Sequence, residues 1–569
     1  MMSILSQTLI SIAGRAAARR FEAATRDPAG AQLRKLMAIV DRNQNTEYGT
    51  EHGFAKVKSL EDWQKAVPVV TYDDISERVG RMTRGEQNVL TAEAPVMFAK
   101  TSGTSGQAKY IPVTATCQGR DHADQLRAWL HYAYADHPGL FSGKVISLVS
   151  PAVEGHTPCG IPYGSTSGVV YRDMPRAVRS TYAVPYPVFE IEDYQAKYYC
   201  LMRIGIANEI SCVATANPSS VVKLCEMADT HADALLRDLA DGTLRPDLDI
   251  TRPIRESLSG QFKPIPEKAR QLEKARQKRS GKLLPADYWP GLTLIACWKG
   301  GTVGHYVERF DQWFDPDGRR PIPVRDWGYL SSEARGSIPV TDEGCGGVLT
   351  VASNVYEFVE AEELEQNPES PQAWRMHGVE SVEVGKQYYI FITTTGGLYR
   401  YDINDVIEVV GFYNRTPIIS FCRKGRGMTS ITGEKVSVDQ IIEAFERSAR
   451  DAAIELGHFK AEADMETARY VFKMEAATPI PQERLRQMLE SLEKHLSSLN
   501  IEYAAKRKSL RLNPPILIAM KPGWYDMGKQ RLVAEGKRLF QAKTILLSER
   551  KEEADGESIA STVTLQDKR

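Results

Sequence analysis

The stretch that most restricts how this chain can fold is Lys100–Lys109, which reads KTSGTSGQAK. Two glycines, four hydroxyl residues and a terminal lysine suit neither a helix nor a core. Glycine lets the backbone approach a ligand closely, hydroxyl groups donate to phosphate oxygens, and lysine adds a point charge for the same anion. The stretch therefore predicts a phosphate-binding loop, with a plain polar surface turn as the alternative. It is not a Walker loop, because Gln107 and Ala108 separate the lysine from Gly106 and Tyr110 follows it.

The order of secondary structure predicts two parts. At 569 residues the chain is long enough for more than one core. Strand and helix patterns alternate up to residue 422, which indicates α/β layers. We expect a large multi-layered N-terminal domain over 1–422, a basic, glycine-containing hinge over 423–427, and a small, mobile α+β domain over 428–569. The last twenty or so residues are polar and are expected to be disordered.

Charge and cysteine usage exclude several classes of function. With 72 basic and 73 acidic residues, the net charge of -1 gives no general attraction to nucleic acid or to an anionic membrane. No window approaches the roughly 18 apolar residues of a membrane span. The eight cysteines form no Cys-x-x-Cys pair, so no zinc site is predicted and a reducing compartment is expected. We therefore expect a cytoplasmic protein that binds neither nucleic acid nor membrane.

Two further stretches carry candidate ligands. Tyr329–Glu333 (YLSSE) places two hydroxyls and a carboxylate together. A carboxylate near a phosphate loop repels the phosphates unless a cation lies between, so Glu333 predicts a magnesium ligand; the alternative is a serine that caps a helix. Leu398–Val406 (LYRYDINDV) follows a predicted strand, and one of its aspartates could bind ribose hydroxyls. The alternative there is an ordinary hairpin turn.

Three other segments are less specific. Pro151–Gly168 is an eighteen-residue run dense in Gly, Pro and Ser, which predicts an ordered loop that lines a pocket. Gly433–Lys435 is expected to open the first helix of the small domain, over 434–450. Lys543, taken alone, is a solvated surface charge.

Taken in order, these motifs resemble a known family. The series TSGTSG…K, YxSSE, YRY…DV…GF and FCRK is similar to the acyl acid-amido synthetases that conjugate auxin and jasmonate to amino acids in plants, and to their bacterial relatives. That family belongs to the adenylate-forming superfamily, which includes acyl-CoA synthetases, luciferase and peptide-synthetase adenylation domains. The similarity extends from about Gln32 to Thr544. It implies the adenylate-forming fold, with a large N-terminal domain for nucleotide and acid and a mobile C-terminal domain.

The resemblance also implies roles for individual residues. The phosphate loop comprises Thr101, Ser102, Gly103, Thr104, Ser105, Gly106 and Lys109. The adenine side comprises Gly300, Gly301, Thr302 and Tyr329, and Ser331 or Ser332 lies near the α-phosphate. Glu333 binds magnesium, and Asp405 and Arg423 contact the ribose. Lys435 serves the second half-reaction and Lys543 assists adenylate formation, so that Lys543, Glu333 and Lys109 are the catalytic residues.

The activity that the resemblance implies is a two-step ligation with ATP and Mg²⁺. A small carboxylic acid is adenylated, and an amine, most simply that of an amino acid, then displaces AMP to give an amide. Three alternatives stay open: an acyl-CoA ligase, an enzyme that loads a carrier protein, and a silent scaffold that retains the fold. This sequence also departs from the family. The phosphate loop is one residue shorter than in the plant form, Asn404 replaces a glycine, and TILL follows Lys543 in place of a plant ending of the Pro-Arg-Cys type.

Overall fold

The structure is a computed structural model that describes residues 4–102, 108–368, 370–476, 479–525, 527, 546–549, 556 and 558–565. The chain divides into two compact units, and the boundary between the larger and the smaller falls between Cys422 and Arg423. The hinge predicted over 423–427 stays a prediction.

The large unit is a mixture of helices and strands. Its helices are α1 Ile4–Arg26, α2 Pro28–Asn43, α3 Glu47–Glu51, α4 Leu60–Ala66, α5 Tyr72–Thr83, α6 Ala123–Asp136, α7 Thr166–Arg172, α8 Arg176–Arg179, α9 Tyr194–Ala207, α10 Pro218–Thr230, α11 Ala232–Asp241, α12 Arg252–Leu258, α13 Pro266–Lys278, α14 Pro285–Tyr288, α15 Asp311–Phe314 and α16 Ala361–Gln366. A π-helical turn, Cys117–His122, leads into α6, and a 3₁₀ helix spans Gly301–Arg309. Shorter 3₁₀ turns span Phe54–Lys56, Pro138–Phe141, Tyr186–Glu190, Ser259–Gln261 and Pro371–Ala373.

The strands of the large unit fall into three sheets. They are β1 Pro95–Ser102, β2 Ala108–Thr114, β3 Lys144–Ser147, β4 Gly155–His156, β5 Pro162–Gly164, β6 Ile210–Ala214, β7 Leu294–Ala296, β8 Val324–Arg325, β9 Ser337–Ile338, β10 Gly347–Leu349, β11 Val355–Glu360, β12 Gln387–Thr393, β13 Tyr401–Tyr413 and β14 Thr416–Lys424. Among the described residues the orders are β2-β1-β5-β4, β3-β6-β7-β8 and β11-β12-β13-β14-β10-β9.

The sheet β3-β6-β7-β8 is parallel throughout. Its central strands are short apolar runs, ISCVA and LIA, and nearly all of their residues are buried. Helices of the chain separate consecutive strands, as parallel pairing requires, and buried parallel strands read as continuous apolar runs. This sheet is the part of the fold that follows most directly from the sequence.

The core of the large unit contains an aromatic cluster of Tyr48, Phe54, Trp63 and Tyr399. The rings of Tyr48 and Tyr399 have centroids 5.1 Å apart, and those of Phe54 and Tyr399 are 5.3 Å apart. The Tyr399 hydroxyl donates to the Leu90 carbonyl at 2.6 Å. Aromatic pairs at these distances stabilise a core beyond the area that they bury. The first tyrosine of the YRY motif is therefore a packing residue.

The small unit is built on one mixed sheet. Its helices are α17 Val438–Asp451, α18 Gln482–Leu499 and α19 Ile501–Lys508, and its strands are β15 Met428–Thr429, β16 Val436–Ser437, β17 Phe459–Asp464, β18 Arg469–Glu475, β19 Ile516–Met520, β20 Leu547–Ser548 and β21 Ile559–Thr564. Within the described residues the sheet order is β20-β17-β18-β19-β21, and β15 pairs with β16 as a separate ribbon. Helices α17 and α18 pack against each other.

Two local predictions are wrong. Pro151–Gly168 is not one irregular loop, because β4 and β5 lie within it and α7 begins at Thr166. Phe98 of β1 pairs with Tyr163 of β5, so tertiary pairing imposes a strand on a segment whose composition is typical of a loop. The first helix of the small unit begins at Val438 and not at residue 434, since Ser437 caps it and the preceding residues form the ribbon.

Across the described helices, none combines the length and the apolar composition that a membrane span requires.

Candidate active site

The predicted phosphate loop lies between two strands. Strand β1 ends at Ser102 and β2 begins at Ala108. Thr101 is buried at the end of β1. Lys109 lies in β2, and its ammonium nitrogen is 5.3 Å from the centre of the Tyr72 ring. Gly103, Thr104, Ser105 and Gly106 lie outside the described residues, and so does the side chain of Ser102, so their roles stay predictions.

The YLSSE motif forms a tight turn and not the start of a helix. The Ser331 hydroxyl accepts the backbone N–H groups of Glu333 at 3.2 Å and Ala334 at 3.1 Å, and the Ser331 N–H donates to the Ala334 carbonyl at 2.9 Å. Leu330 and Arg335 form an antiparallel bridge on either side of the turn. The Ser331 hydroxyl thus stabilises the turn, as serine often does. Of the two serines, Ser332 is the better candidate for a phosphate contact.

The carboxylate of the turn and a carboxylate of strand β13 are both buried. Glu333 is buried, with 7% of its surface exposed, and Asp405 is buried with 3% exposed. The Tyr329 hydroxyl donates to Asp405 Oδ2 at 2.7 Å. Burial and the negative charges of Asp405 and Glu333 raise the pKa of Tyr329 well above its ordinary value. Two residues predicted for magnesium and for ribose therefore lie in the same buried neighbourhood.

Two tyrosines lie near the residues just described, Tyr72 beside Lys109 and Tyr401 beside Glu333. Tyr72, below the lysine, accepts the Tyr110 N–H at 2.8 Å. Burial raises the pKa of Tyr401 well above its ordinary value, and the charge of Glu333 and the proximity of Tyr72 raise it further. Tyr401 thus lies near both Glu333 and Tyr72. The strand β2, the turn and β13 converge at this point.

A bulge in β13 sets the direction of Asp405. Phe391 of β12 pairs with Asp402, but Tyr389 pairs with Val406, so residues 403–405 of β13 oppose a single residue of β12. Asn404 has φ +56°, in the left-handed region that glycine and asparagine adopt most easily. Its N–H donates to Asp402 Oδ1 at 2.8 Å. Asparagine therefore keeps the backbone conformation that the family's glycine would allow, and the departure leaves the bulge intact.

The predicted adenine loop packs on an aromatic pair. Gly301 has φ +64°, and a Cβ atom there would lie 2.7 Å from the Phe421 ring, so only glycine fits. Phe421 and Tyr329 lie parallel, with centroids 6.4 Å apart and planes at 17°. Gly300 precedes the 3₁₀ helix, and the Thr302 side chain lies outside the described atoms. Gly301, Phe421, Tyr329 and Asp405 thus form one continuous set of contacts.

Asp326 holds this loop in place. Its carboxylate accepts the backbone N–H groups of Lys299 and Gly328, both at 2.6 Å. Burial raises the pKa of Asp326 to about 6, against the lowering effect of these hydrogen bonds and of the Lys299 charge. The Asp326 side chain therefore joins the loop that begins at residue 299 to the segment that leads to Tyr329. Asp326 was not among the residues predicted for the site, and it directly follows the short strand β8.

The remaining predicted residues belong to the small unit. The Arg423 guanidinium donates to the Lys424 carbonyl at 3.3 Å. Lys435 has φ +51° and precedes β16. The carboxylate of the neighbouring Glu434 is fully buried and accepts the N–H groups of Ile431 and Thr432. Lys543 lies outside the described residues. The roles of Arg423, Lys435 and Lys543 stay predictions.

The donor set bears on the predicted metal. In the described part of the chain, no group of three or more His, Cys, Asp and Glu side chains is arranged to hold a metal ion. Magnesium in nucleotide enzymes is bound by one or two carboxylates together with the substrate phosphates. The buried carboxylate of Glu333 fits an ion that arrives with the nucleotide.

Comparison with known proteins identifies the family. The GH3 family N-terminal domain matches residues 17–318, the GH3 family central domain residues 347–424, and the GH3 family C-terminal domain residues 438–552. The chain is 24% identical over 545 residues to indole-3-acetic acid-amido synthetase GH3.6 of Arabidopsis thaliana, which covers 90% of this chain and 87% of the relative. It is 25% identical over 563 residues, 93% of each chain, to the probable indole-3-acetic acid-amido synthetase GH3.11 of Oryza sativa subsp. japonica.

Solved structures agree with the fold. The AtGH3.15 acyl acid amido synthetase in complex with 2,4-DB superposes with a TM-score of 0.63 at 23% identity, and the match covers 97% of each chain. The chain, with its large and small units and its α/β layers, thus has the fold of the acyl acid amido synthetase structures. The chain belongs to the GH3 family. The fold class and the family resemblance predicted from the sequence are both confirmed.

Proposed function

We propose that this chain is an ATP-dependent acyl acid-amido synthetase, an AMP-forming carbon–nitrogen ligase. It adenylates a small carboxylic acid with release of pyrophosphate, and the amine of an amino acid then displaces AMP to form an amide. The observation that carries this proposal is the buried set of Glu333, Asp405 and Tyr329, in a chain of the GH3 family. The cytoplasmic location expected from the sequence stays a prediction.

The nucleotide is proposed to bind across the converging strands. A carboxylate has about four acceptor positions, and the Tyr329 hydroxyl takes one of those on Asp405, so ribose hydroxyls can donate to the same group. Gly301 and its neighbours border the base, and Arg423 approaches the ribose. The loop from Thr101 to Lys109 receives the phosphates. Ser332 donates to the α-phosphate, because Ser331 already stabilises its own turn.

Magnesium, when bound with ATP through Glu333, offsets negative charge on the phosphates. The chain's own residues do the rest of the first step. Two anions, the acid carboxylate and the α-phosphate, must meet in line, so positioning and charge stabilisation dominate the chemistry. Lys109 and Lys543 supply positive charge that stabilises the negative charge developing on the phosphate oxygens in the transition state. No covalent intermediate with the protein is required.

The lysine of the small unit gives the sharpest test of the two-step scheme. We expect Lys543→Ala to lower the rate of adenylate formation by about 10²- to 10³-fold, the usual cost of losing one charge-stabilising donor. Conversion of a supplied acyl-adenylate to amide should continue, because rotation about Arg423–Lys424 is proposed to remove Lys543 before the amine attacks. Lys508→Ala, at an exposed lysine of α19, is the matched control. Equal loss in both half-reactions would contradict the assigned role.

Exchange of pyrophosphate into ATP across a panel of aryl, fatty and amino acids tests the proposal as a whole. We expect exchange with one class of acid, release of AMP, and amide formation when amino acids are added. Thioester formation with coenzyme A, or loading of a carrier protein, would redirect the proposal to the other ligases. A failure to bind ATP in a thermal-shift assay would favour a silent scaffold.

A further inference from the structure

Two lysines of the small unit come together at one turn. Lys435 ends the turn 430–435, and Lys506 lies in the last turn of α19. A Cβ atom placed on Gly433 would lie 3.6 Å from Lys506 Cε and 3.7 Å from Lys506 Nζ. Gly433 has φ +103°, a conformation that glycine adopts and other residues rarely do. The end of the Lys506 side chain therefore lies against the turn that carries Lys435.

A buried carboxylate fixes the shape of this turn. Glu434 is fully buried, and it accepts the N–H groups of Ile431 at 2.6 Å and Thr432 at 2.8 Å. It also accepts the Thr432 hydroxyl at 3.0 Å and the Tyr470 hydroxyl at 2.8 Å. Lys435 follows with φ +51°, which is costly for a residue other than glycine unless its surroundings impose it. The protein thus stabilises an unfavourable backbone conformation at Lys435.

Asn500 joins the turn to the helix of the second lysine. Its side-chain nitrogen donates to the carbonyls of Glu434 at 3.0 Å and Lys435 at 3.1 Å. Its side-chain oxygen accepts the Tyr503 N–H at 2.8 Å and so caps the first turn of α19. Asn500 is fully buried. One side chain therefore holds both the backbone of Lys435 and the helix that carries Lys506.

Positive charge predominates around the Lys506 ammonium. Burial lowers the pKa of Lys506 to about 8, and the charges of Arg511 and Lys435 act in the same direction. Glu502 and Glu434 act against them. Four donors already occupy the Glu434 carboxylate, which has about four acceptor positions. A partly desolvated cation beside other cations is stabilised when an anion binds to it.

We propose that Lys506, together with Lys435, binds the carboxylate of the amino acid acceptor in the amide-forming step. This inference rests on the proposed function and deepens it, because it names the group by which the acceptor is recognised. The acceptor brings its carboxylate close to an adenylate whose phosphate is also negative. Cations beside the carboxylate offset that repulsion. The preferred acceptor is then an amine with a carboxylate on the neighbouring carbon.

The phosphate of the adenylate is the other anion that the two lysines can contact. A contact with the phosphate contributes to the reaction of every acceptor. A contact with the carboxylate contributes only when the acceptor carries one. Acceptors that share an amine and differ in the carboxylate therefore distinguish the two anions.

The test measures amide formation by the full chain with the acid that best supports pyrophosphate exchange. An amino acid is compared with its own carboxamide in the wild type, in Lys506→Met and in the control Lys508→Met, at an exposed lysine of the same helix. Lys506→Met should lower kcat/KM for the amino acid about 10- to 100-fold, the usual effect of losing a hydrogen bond to a charged group. The carboxamide should react with unchanged efficiency, and Lys508→Met should behave as the wild type. Pyrophosphate exchange should keep its rate in Lys506→Met, which also shows that the variant folds.

The pH dependence gives a second readout. The value of kcat/KM reports groups of the free enzyme, and Lys506 loses its charge as pH rises through about 8. With one and the same amino acid, the advantage of the wild type over Lys506→Met should therefore be largest near pH 7 and shrink towards pH 9. The comparison uses a single acceptor, so titration of its amine affects both proteins equally.

The outcomes separate this inference from the proposed function. Equal loss with the amino acid and the carboxamide would overturn the inference in favour of the phosphate. An undiminished rate in Lys506→Met, or an advantage of the wild type that is constant with pH, would overturn it as well. In each of these cases amide still forms and the ligase activity stands. If no acid and no amine give an amide, the proposed function itself fails.

Discussion

Two groups of buried polar side chains in the large unit are arranged in opposite ways. Arg400 and Glu357 pair with each other at 3.0 Å, and the Tyr329 hydroxyl donates a hydrogen bond to Asp405 at 2.7 Å. The buried amide of Gln125, by contrast, has no hydrogen-bond partner among the described residues. The difference is that the first two groups have described protein partners across separate segments of the chain, so they stabilise the fold by tertiary contacts.

The largest expected effect comes from breaking the satisfied group. Arg400 also donates to the Val67 carbonyl at 2.7 Å and the Gln64 carbonyl at 3.1 Å, so it joins the residue before β13 to the C-terminal end of α4. Arg400→Met leaves the Glu357 carboxylate buried without its cation, and we expect a loss of about 3–5 kcal/mol in unfolding free energy. Urea denaturation measures it. Arg415→Met, at an exposed arginine paired with Glu380, should lose less than about 1 kcal/mol. Similar losses in both variants would mean that the buried Arg400–Glu357 pair contributes no more to stability than the exposed Arg415–Glu380 pair.

A smaller effect is expected from Tyr329→Phe. The substitution keeps the ring against Phe421 and removes the hydrogen bond to Asp405. Hydrogen bonds to a charged group contribute about 1.5–3 kcal/mol, so unfolding free energy should fall by about 2 kcal/mol and KM for ATP should rise. Calorimetry and steady-state kinetics give the two values. An unchanged KM for ATP would contradict the proposed contact between Asp405 and the ribose.

The smallest expected effect is the pH dependence due to Asp326. Its folded pKa of about 6 lies above the ordinary value of 3.8, so the folded state binds the proton more tightly than the unfolded state. The tighter binding of this proton stabilises the folded state fully below about pH 4, and that stabilisation is lost as pH rises through about 6. Between pH 5 and pH 7 the wild type should lose about 1 kcal/mol relative to Asp326→Asn, which has no carboxyl group to titrate. If the unfolding free energies of the two proteins change with pH in the same way across this range, the raised pKa of Asp326 is contradicted.

The fold class and the family could be predicted because their signals are local motifs that occur in a fixed order along the chain. The YLSSE turn and Asp405 each belong to a motif of a few adjacent residues, whereas the nucleotide-binding roles assigned to them stay predictions. The bulge that directs Asp405 could not be predicted, because it depends on how β12 pairs with β13. Tertiary pairing likewise placed strands in Pro151–Gly168.

Gln125 illustrates the limit most clearly. A glutamine on a helix is ordinarily a surface residue, whereas only 5% of this one is exposed. Its burial depends on tertiary packing that no local motif encodes. The contribution of Phe421 beneath Gly301 was hidden for the same reason.

One measurement tests the central claim most directly. The purified chain is incubated with ATP, Mg²⁺, a mixture of amino acids and, one at a time, the members of a panel of aryl, fatty and amino acids, and the products are identified by mass spectrometry. The account predicts AMP, pyrophosphate and an N-acyl amino acid with at least one of the acids. The formation of ADP, or the absence of any acid-dependent AMP across the whole panel of acids, would contradict it.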